Sequence, residues 1–250
     1  KTGYDPVAGA WPDWVAKIID PALLPAIHAP GTAVGRVGKN DFGLQPDCAV
    51  VAGTTDGCAS FLATGASGAG DGVSALGTTL TIKLLSDQPL FAPQFGIYSH
   101  KVLGLWLAGG ASNTGGNVLV SEFPGADLAA LSADIDPETD TDLGYYPLSR
   151  PGERFPINDP DLAPRMGPRP ALDADHLKAI FEGIAAIEAL AYSRLADLGG
   201  PPLRSVRTVG GGAGNPKWTR IRERRLGVPM CEPLSGEAAY GTALLARAGI

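Results

Sequence analysis

The sequence predicts an α/β protein, and three observations carry that reading: the order strand, loop, helix recurs along the chain, glycine clusters fall where predicted strands end, and residues 175–198 keep helical periodicity throughout. In α/β folds ligands bind at the rim where strands end, so the glycine clusters are also candidate site residues.

Taken in order, residues 11–27 read as helix, but Pro21 and Pro25 allow only short helical pieces. Pro30, Gly31, Gly35 and Gly38 then punctuate a turn-rich stretch in which Ala33, Val34, Arg36 and Val37 suggest a short strand or hairpin. The run 48–52 is apolar and Val-rich, which predicts a buried strand stopping at Gly53. Residues 57–64 predict a short helix closed by Gly65. Strands follow at 73–76 and 80–85, joined across Gly77, Thr78 and Thr79, and another at 102–108 ends in Gly109 and Gly110. Residues 124–170 are dense in Pro, Asp and Gly and predict an irregular excursion with short elements.

The long helix over 175–198 places Leu177, Ile180, Phe181, Ile184, Ile187, Leu190, Ala191 and Leu195 at three- and four-residue intervals. Asp173 or Asp175 can cap its start, and Gly199 stops it. A strand over 205–209 enters Gly210, Gly211 and Gly212; Asn215 then caps a helix with Pro216 in its first turn. A last helix, 237–248, begins behind Ser235 and ends at Gly249.

With 250 residues, 44% hydrophobic and 18% charged, the chain can bury a substantial core in one or two domains. Its 34 glycines follow no repeat, which argues for many tight turns and against collagen or a linker. A net charge of −6 with no basic block excludes a nucleic-acid footprint. The best basic candidate, Lys217, Arg220, Arg222, Arg224 and Arg225 with Glu223 among them, reads as a solvated helix face. No apolar run approaches the ~20 residues of a membrane span, and the opening residues lack signal-peptide order. The expectation is a cytoplasmic protein with no membrane partner. Cys48, Cys58 and Cys231 read as buried reduced thiols. His28, His100 and His176 stand alone with no metal-ligand spacing, so no metal-ligating residue is assigned.

Three Gly-rich turns stand out: LGTT at 76–79, GGASNTGG at 109–116 and GGGAGN at 210–215. An oxyanion approaches a peptide N–H closely only where no Cβ intervenes, and successive amides in such turns form concave anion sites. Two of the turns lead into helices, whose first amides favour negative charge. Thr78 and Thr79 add hydroxyl donors, or serve only β propensity and turn chemistry. Asp56, in GTTDG between a strand and a helix, is either an N-cap or a reactive carboxylate.

Five segments, GTTDG before an Ala-rich helix, ALGTT, GGASNTGG, TVGGGAGNPKW and EAAYGTALLA, occur in this order over nearly the whole chain, and the set resembles the FGGY carbohydrate kinases. GTTDGCASFLATG, YSH at 98–100 and YYPL at 145–148 are most similar to the subgroup of xylulokinase-like D-ribulokinases. The resemblance implies an actin-like ATPase fold with two RNase H-like domains facing a cleft. Residues 1–70 would then end the first, sugar-side domain, and 71–250 would form the nucleotide-binding domain. It implies ATP with Mg²⁺ as cofactors and a small sugar, a ketopentose such as D-ribulose or D-xylulose, as substrate; a homodimer is compatible with it. Asp56 would be the catalytic base, with Thr55 beside it on the substrate. Gly77, Thr78 and Thr79 would face the β- and γ-phosphates, with Gly115 and Gly116 along the nucleotide. Gly211, Gly212 and Ala213 would lie beside the α-phosphate and ribose, and Asn215 near adenine. A helix N-terminus favours negative charge, which suits a group that orients a hydroxyl in the loose transition state of phosphoryl transfer.

The family's first-domain Asp-x-Gly-Thr turn is not in the sequence. The expectation is therefore that the chain is part of a longer enzyme and inactive by itself. The alternative is a non-catalytic nucleotide- or sugar-binding remnant. A Rossmann dehydrogenase fits poorly, because GGGAG at 210–214 departs from the G-x-G-x-x-G spacing and too little chain follows it.

Overall fold

The computed structural model describes residues 3–249. Its first strands, β1 (Ala33–Arg36) and β2 (Ala49–Val51), pair antiparallel with each other in a separate two-stranded sheet. The strand expected to be buried at 48–52 is instead half-buried, with Val50 exposed, because β1 is its one sheet neighbour. The Pro-broken stretch before it yields two 3₁₀ turns, Val15–Lys17 and Pro21–Leu23.

The main sheet has six strands: β3 (Asp71–Leu76), β4 (Leu80–Ser86), β5 (Tyr98–Val102), β6 (Leu105–Ala111), β7 (Ser205–Val209) and β8 (Met230–Cys231). Their order is β5-β6-β4-β3-β7-β8. β3, β7 and β8 run parallel, and the pairs on the other side of β3 are antiparallel. The single strand expected at 102–108 is a hairpin. Its two loop residues, Leu103 at φ 48° and Gly104 at φ 82°, both take left-handed backbone, the arrangement that matches strand twist in two-residue hairpins.

The described residues also form six α-helices: α1 (Asp56–Ala63), α2 (Gly116–Glu122), α3 (Leu128–Ala133), α4 (Asp173–Asp197), α5 (Pro216–Leu226) and α6 (Ala238–Ala248). Between α3 and α4 the chain is irregular, as the density of Pro and Gly predicts. The N-cap position of α4 is Leu172, with no side-chain capping bond; Asp173 and Asp175 lie in the first turn, where their charge complements the helix dipole. α5 begins as predicted, with Asn215 at the cap and Pro216 first, and stops at Gly227 in left-handed backbone.

Alternation along the strands decides what each sheet face covers. Leu80, Ile82 and Leu84 of β4 share one core with Leu177, Ile180, Ile184 and Leu195 of α4. Val73, Leu85 and Leu107 share a second core with Cys58 and Phe61 of α1. Each fully buried Leu or Ile contributes about 1.5–3 kcal/mol. α6 closes on α1 at Gly241, where an added Cβ would meet the carbonyl oxygen of Ala59. Of the three thiols expected to be buried, Cys58 is, Cys231 is half-buried and Cys48 is exposed. Among the described residues no helix is long and apolar enough to cross a membrane.

Candidate functional site

The parallel register pairs Asp71 with Ser205 and Ala75 with Val209, so β3 and β7 end at the same rim. β4 starts and β6 ends there too, since Thr81 pairs with Ala111. All three Gly-rich turns therefore meet, and they interlock through backbone. Gly116 N donates to Gly77 O at 2.8 Å, Asn117 N to Thr78 O at 3.1 Å, and Leu80 N to Thr114 O at 2.7 Å. An added Cβ at Gly115 (φ 141°) would lie 2.7 Å from Thr79 Cα, and one at Gly210 (φ 88°) would lie 2.7 Å from Leu76 O. At both positions only glycine combines that φ with so close an approach.

Over this rim opens a cleft of about 980 Å³, lined by α2, α3 and the start of α5. Gly77, Thr78, Gly116, Gly211, Gly212 and Asn215 line it together with the apolar Leu119, Leu128, Phe181 and Trp218. Phe181 and Trp218 are stacked, with ring centroids 4.5 Å apart and planes 7° from parallel. Among the described residues Lys217 is the one charged residue in the lining, and its Nζ donates to Ile135 O at 2.8 Å. Among the described residues no carboxylate lines the cleft. It combines flat apolar walls, suited to a planar ring, with side-chain-free turns, suited to an oxyanion.

Of the sequence-predicted residues, Thr79, Gly115 and Ala213 do not line the cleft. Thr79 and Gly115 lie in the interlocked backbone beneath it, and Ala213 faces a shallower hollow beside α5. Asn215, expected near adenine, has both ends of its side chain engaged by the protein: Oδ1 accepts from Trp218 N at 3.1 Å, and Nδ2 donates to Ser132 Oγ at 2.9 Å. It ties the start of α5 to α3. Asp56 is exposed in the first turn of α1 and outside the cleft lining. The capping position belongs to Thr55, whose side chain makes no capping bond, and Asp56 Oδ1 accepts from Gly57 N at 2.7 Å.

Several supporting residues were not legible in the sequence. Buried Glu153, from the irregular excursion, accepts from Ser112 Oγ at 2.6 Å and Asn113 N at 2.7 Å, and Thr114 Oγ1 donates to Pro147 O at 2.6 Å. These bonds hold the second turn from 33–41 residues away in sequence, a span over which no local pattern gives a signal. Tyr146, whose hydroxyl donates to Glu153, has its pKa pushed up by burial and by that carboxyl. The basic stretch on α5 is also not uniformly solvated. Arg222 is fully buried and paired with Glu188 of α4, whereas Arg220 and Arg225 are exposed.

Known proteins agree with this architecture. The sequence profile described as the FGGY family of carbohydrate kinases, C-terminal domain, matches residues 72–249. A gluconokinase of Bacillus subtilis (strain 168) is 24% identical, over 86% of this chain and 44% of its own length. The crystal structure of a "xyloylose kinase" from Brucella ovis superposes with a TM-score of 0.84 at 23% identity, over 97% of this chain and 53% of its own. Plasmodium falciparum glycerol kinase with ADP superposes at 0.79 with 17% identity, over 98% of this chain and 52% of its own. The chain thus spans about half the length of these relatives. The strand order, the rim of interlocked turns and the profile match converge: the chain has the actin-like ATPase fold and belongs to the FGGY family of carbohydrate kinases, of which it carries the C-terminal domain.

Proposed function

We propose that this chain is the nucleotide-binding half of an ATP-dependent sugar kinase that phosphorylates a hydroxyl of a small sugar. The observation that carries the reading is the cleft itself, with three interlocked turns below, a stacked aromatic pair in the wall and no carboxylate to repel a triphosphate. The turn amides would hold the phosphates, while Val120 and Leu128 of the lining offer apolar surface to the base, and the buried Phe181–Trp218 stack supports the wall. A solved relative described with ADP supports a nucleotide ligand. Relatives described as gluconate-, glycerol- and xylulose-directed kinases support a small polyhydroxy acceptor; a ketopentose, D-ribulose or D-xylulose, is our substrate reading.

Asp56 is proposed as the base that orients the acceptor hydroxyl and takes its proton, with Thr55 beside it. Phosphoryl transfer asks mainly for positioning and charge neutralisation, so an exposed carboxylate outside the nucleotide cleft is compatible with that task. We assign residues 1–70 to the end of the sugar-side domain and 71–250 to the nucleotide domain, in keeping with a family match that begins at residue 72. Mg²⁺ would accompany the triphosphate; among the described residues no group of three or more His, Cys, Asp or Glu side chains could cage it.

Phosphorylation of D-ribulose, D-xylulose and glycerol, assayed on the full gene product and on this chain, together with calorimetric titration of ATP, tests the reading. Nucleotide binding by both and turnover by the full product are expected. The alternative, a non-catalytic nucleotide- or sugar-binding remnant, would be selected by binding with no phosphorylation in the full product.

A further inference from the structure

We propose that the buried Glu188–Arg222 pair is a positioning device for the cleft, locking β3, β7 and α5 in the register that sets the Gly77–Thr79 turn beside the Gly210–Gly214 turn. The proposal rests on the nucleotide-binding reading above. Arg222 and Glu188 have no exposed surface, and their contact is bidentate, with Nε to Oε2 at 2.6 Å and Nη2 to Oε1 at 2.8 Å. The remaining partners come from two strands. Arg222 Nη1 donates to Thr208 Oγ1 of β7 at 2.8 Å, and Ser74 Oγ of β3 donates to Glu188 Oε1. Ser74 Oγ also lies 3.0 Å from the hydroxyl of buried Tyr192. Burial works against the Arg222 charge, but Glu188 overrides it and raises the guanidinium pKa.

Ser74 and Thr208 are register partners on the parallel strands. Two residues past each, the strands leave the network for the turns: Leu76 leads into Gly77, and Gly210 packs its backbone onto Leu76 and Gly77. On α5, Arg222 lies one helical turn beyond Trp218, so the bond that fixes Arg222 also fixes the roll of the helix that presents the indole to the cleft. A buried ion pair is a poor device for stability alone. Desolvation costs several kcal/mol per ion, and apolar replacements of like volume are often as stable. What the directed bonds add is geometry: one guanidinium and one carboxylate specify the relative placement of four elements. The sequence shows no trace of this, since the partners lie 34 residues apart on two helices.

The test is the double variant Glu188→Leu/Arg222→Met in this chain, beside Thr208→Val and the unmodified chain. Three properties are read: the thermal midpoint, ATP affinity by calorimetry, and amide hydrogen exchange without nucleotide. We expect the double variant to melt within about 5 °C of the unmodified chain, to bind ATP about tenfold or more weakly, and to exchange faster at residues 77–79 and 210–214 than in α4. A folded double variant with unchanged affinity and unchanged exchange at both turns overturns the proposal. So does faster exchange spread evenly over the domain, which is the mark of a merely stabilising pair. Should the double variant not fold, Thr208→Val decides, because it keeps the pair but cuts its tie to β7. Faster exchange at 210–214 is then expected, and unchanged exchange overturns the lock. If the unmodified chain takes up no nucleotide, the nucleotide reading fails while the exchange data still judge the lock.

Discussion

The amide of Gly116 donates to the carbonyl oxygen of Gly77 at 2.8 Å, so α2 begins on the backbone of the first turn. A Cβ at Gly116 would lie 2.8 Å from that same oxygen, a backbone atom with no freedom to move aside. Gly116→Val is expected to separate the two turns and weaken ATP binding by about tenfold or more, read by calorimetry. Native affinity in a folded Gly116→Val protein would show that the turns do not act together.

Gly212 lines the cleft with its backbone, but a side chain there would point into the wall. Its Cβ would meet Trp218 Cζ3 at 2.7 Å and Leu76 Cβ at 2.8 Å. Gly212→Val should therefore push the indole off Phe181 and weaken nucleotide binding through the wall. Calorimetry on this variant beside Trp218→Phe checks the route, since both should lose affinity.

Asp56 is exposed and outside the cleft lining, so its effects on chemistry and on nucleotide binding should separate. In the full gene product, Asp56→Ala is expected to lower kcat by orders of magnitude and leave ATP affinity nearly unchanged. Steady-state kinetics check this, and comparable turnover would remove Asp56 from the mechanism.

Partial burial works against the Asp71 charge, but the amides of Gly68 and Ser67, the Ser205 hydroxyl and the Arg207 guanidinium together hold its pKa below the ordinary 3.8. A carboxyl with a depressed folded pKa contributes stability above its unfolded pKa and loses it as pH falls through the folded one. Asp71→Asn should thus be less stable than the unmodified chain at neutral pH. The gap should narrow as pH drops below 3.8, as followed by denaturant unfolding across pH.

At Gly241 an added Cβ would overlap the carbonyl oxygen of Ala59. Gly241→Ala is expected to cost about 1–3 kcal/mol, the range for overpacking a tight contact. Urea denaturation measures it, and a neutral result would mean that α6 can slide along α1.

Legibility in the sequence followed the range of the interactions involved. α4 was readable because its apolar side chains recur at helical spacing over 25 residues, and the start of α5 because its cap is local chemistry at Asn215 and Pro216. The β5–β6 hairpin was not, because Leu103 holds a left-handed turn position that sequence reasoning reserves for Asn or Gly. β8 is two residues long, too short to show a period. Within the site, the glycines that line the rim could be named from sequence, but Glu153 and the Glu188–Arg222 pair could not, because each acts on residues that only the fold brings near. Asn215 shows the opposite error: its place beside the cleft was readable, while the engagement of its amide by Ser132 and Trp218 was not.

The closure of α6 on α1 ties together two segments that lie far apart along the chain, because Gly241 seats the helix that carries Asp56. Without α6, Ala59 and Ala63 would be uncovered. A proteolytic cut that freed α6 would therefore also loosen the anchorage of a carboxylate to which α6 contributes no atom.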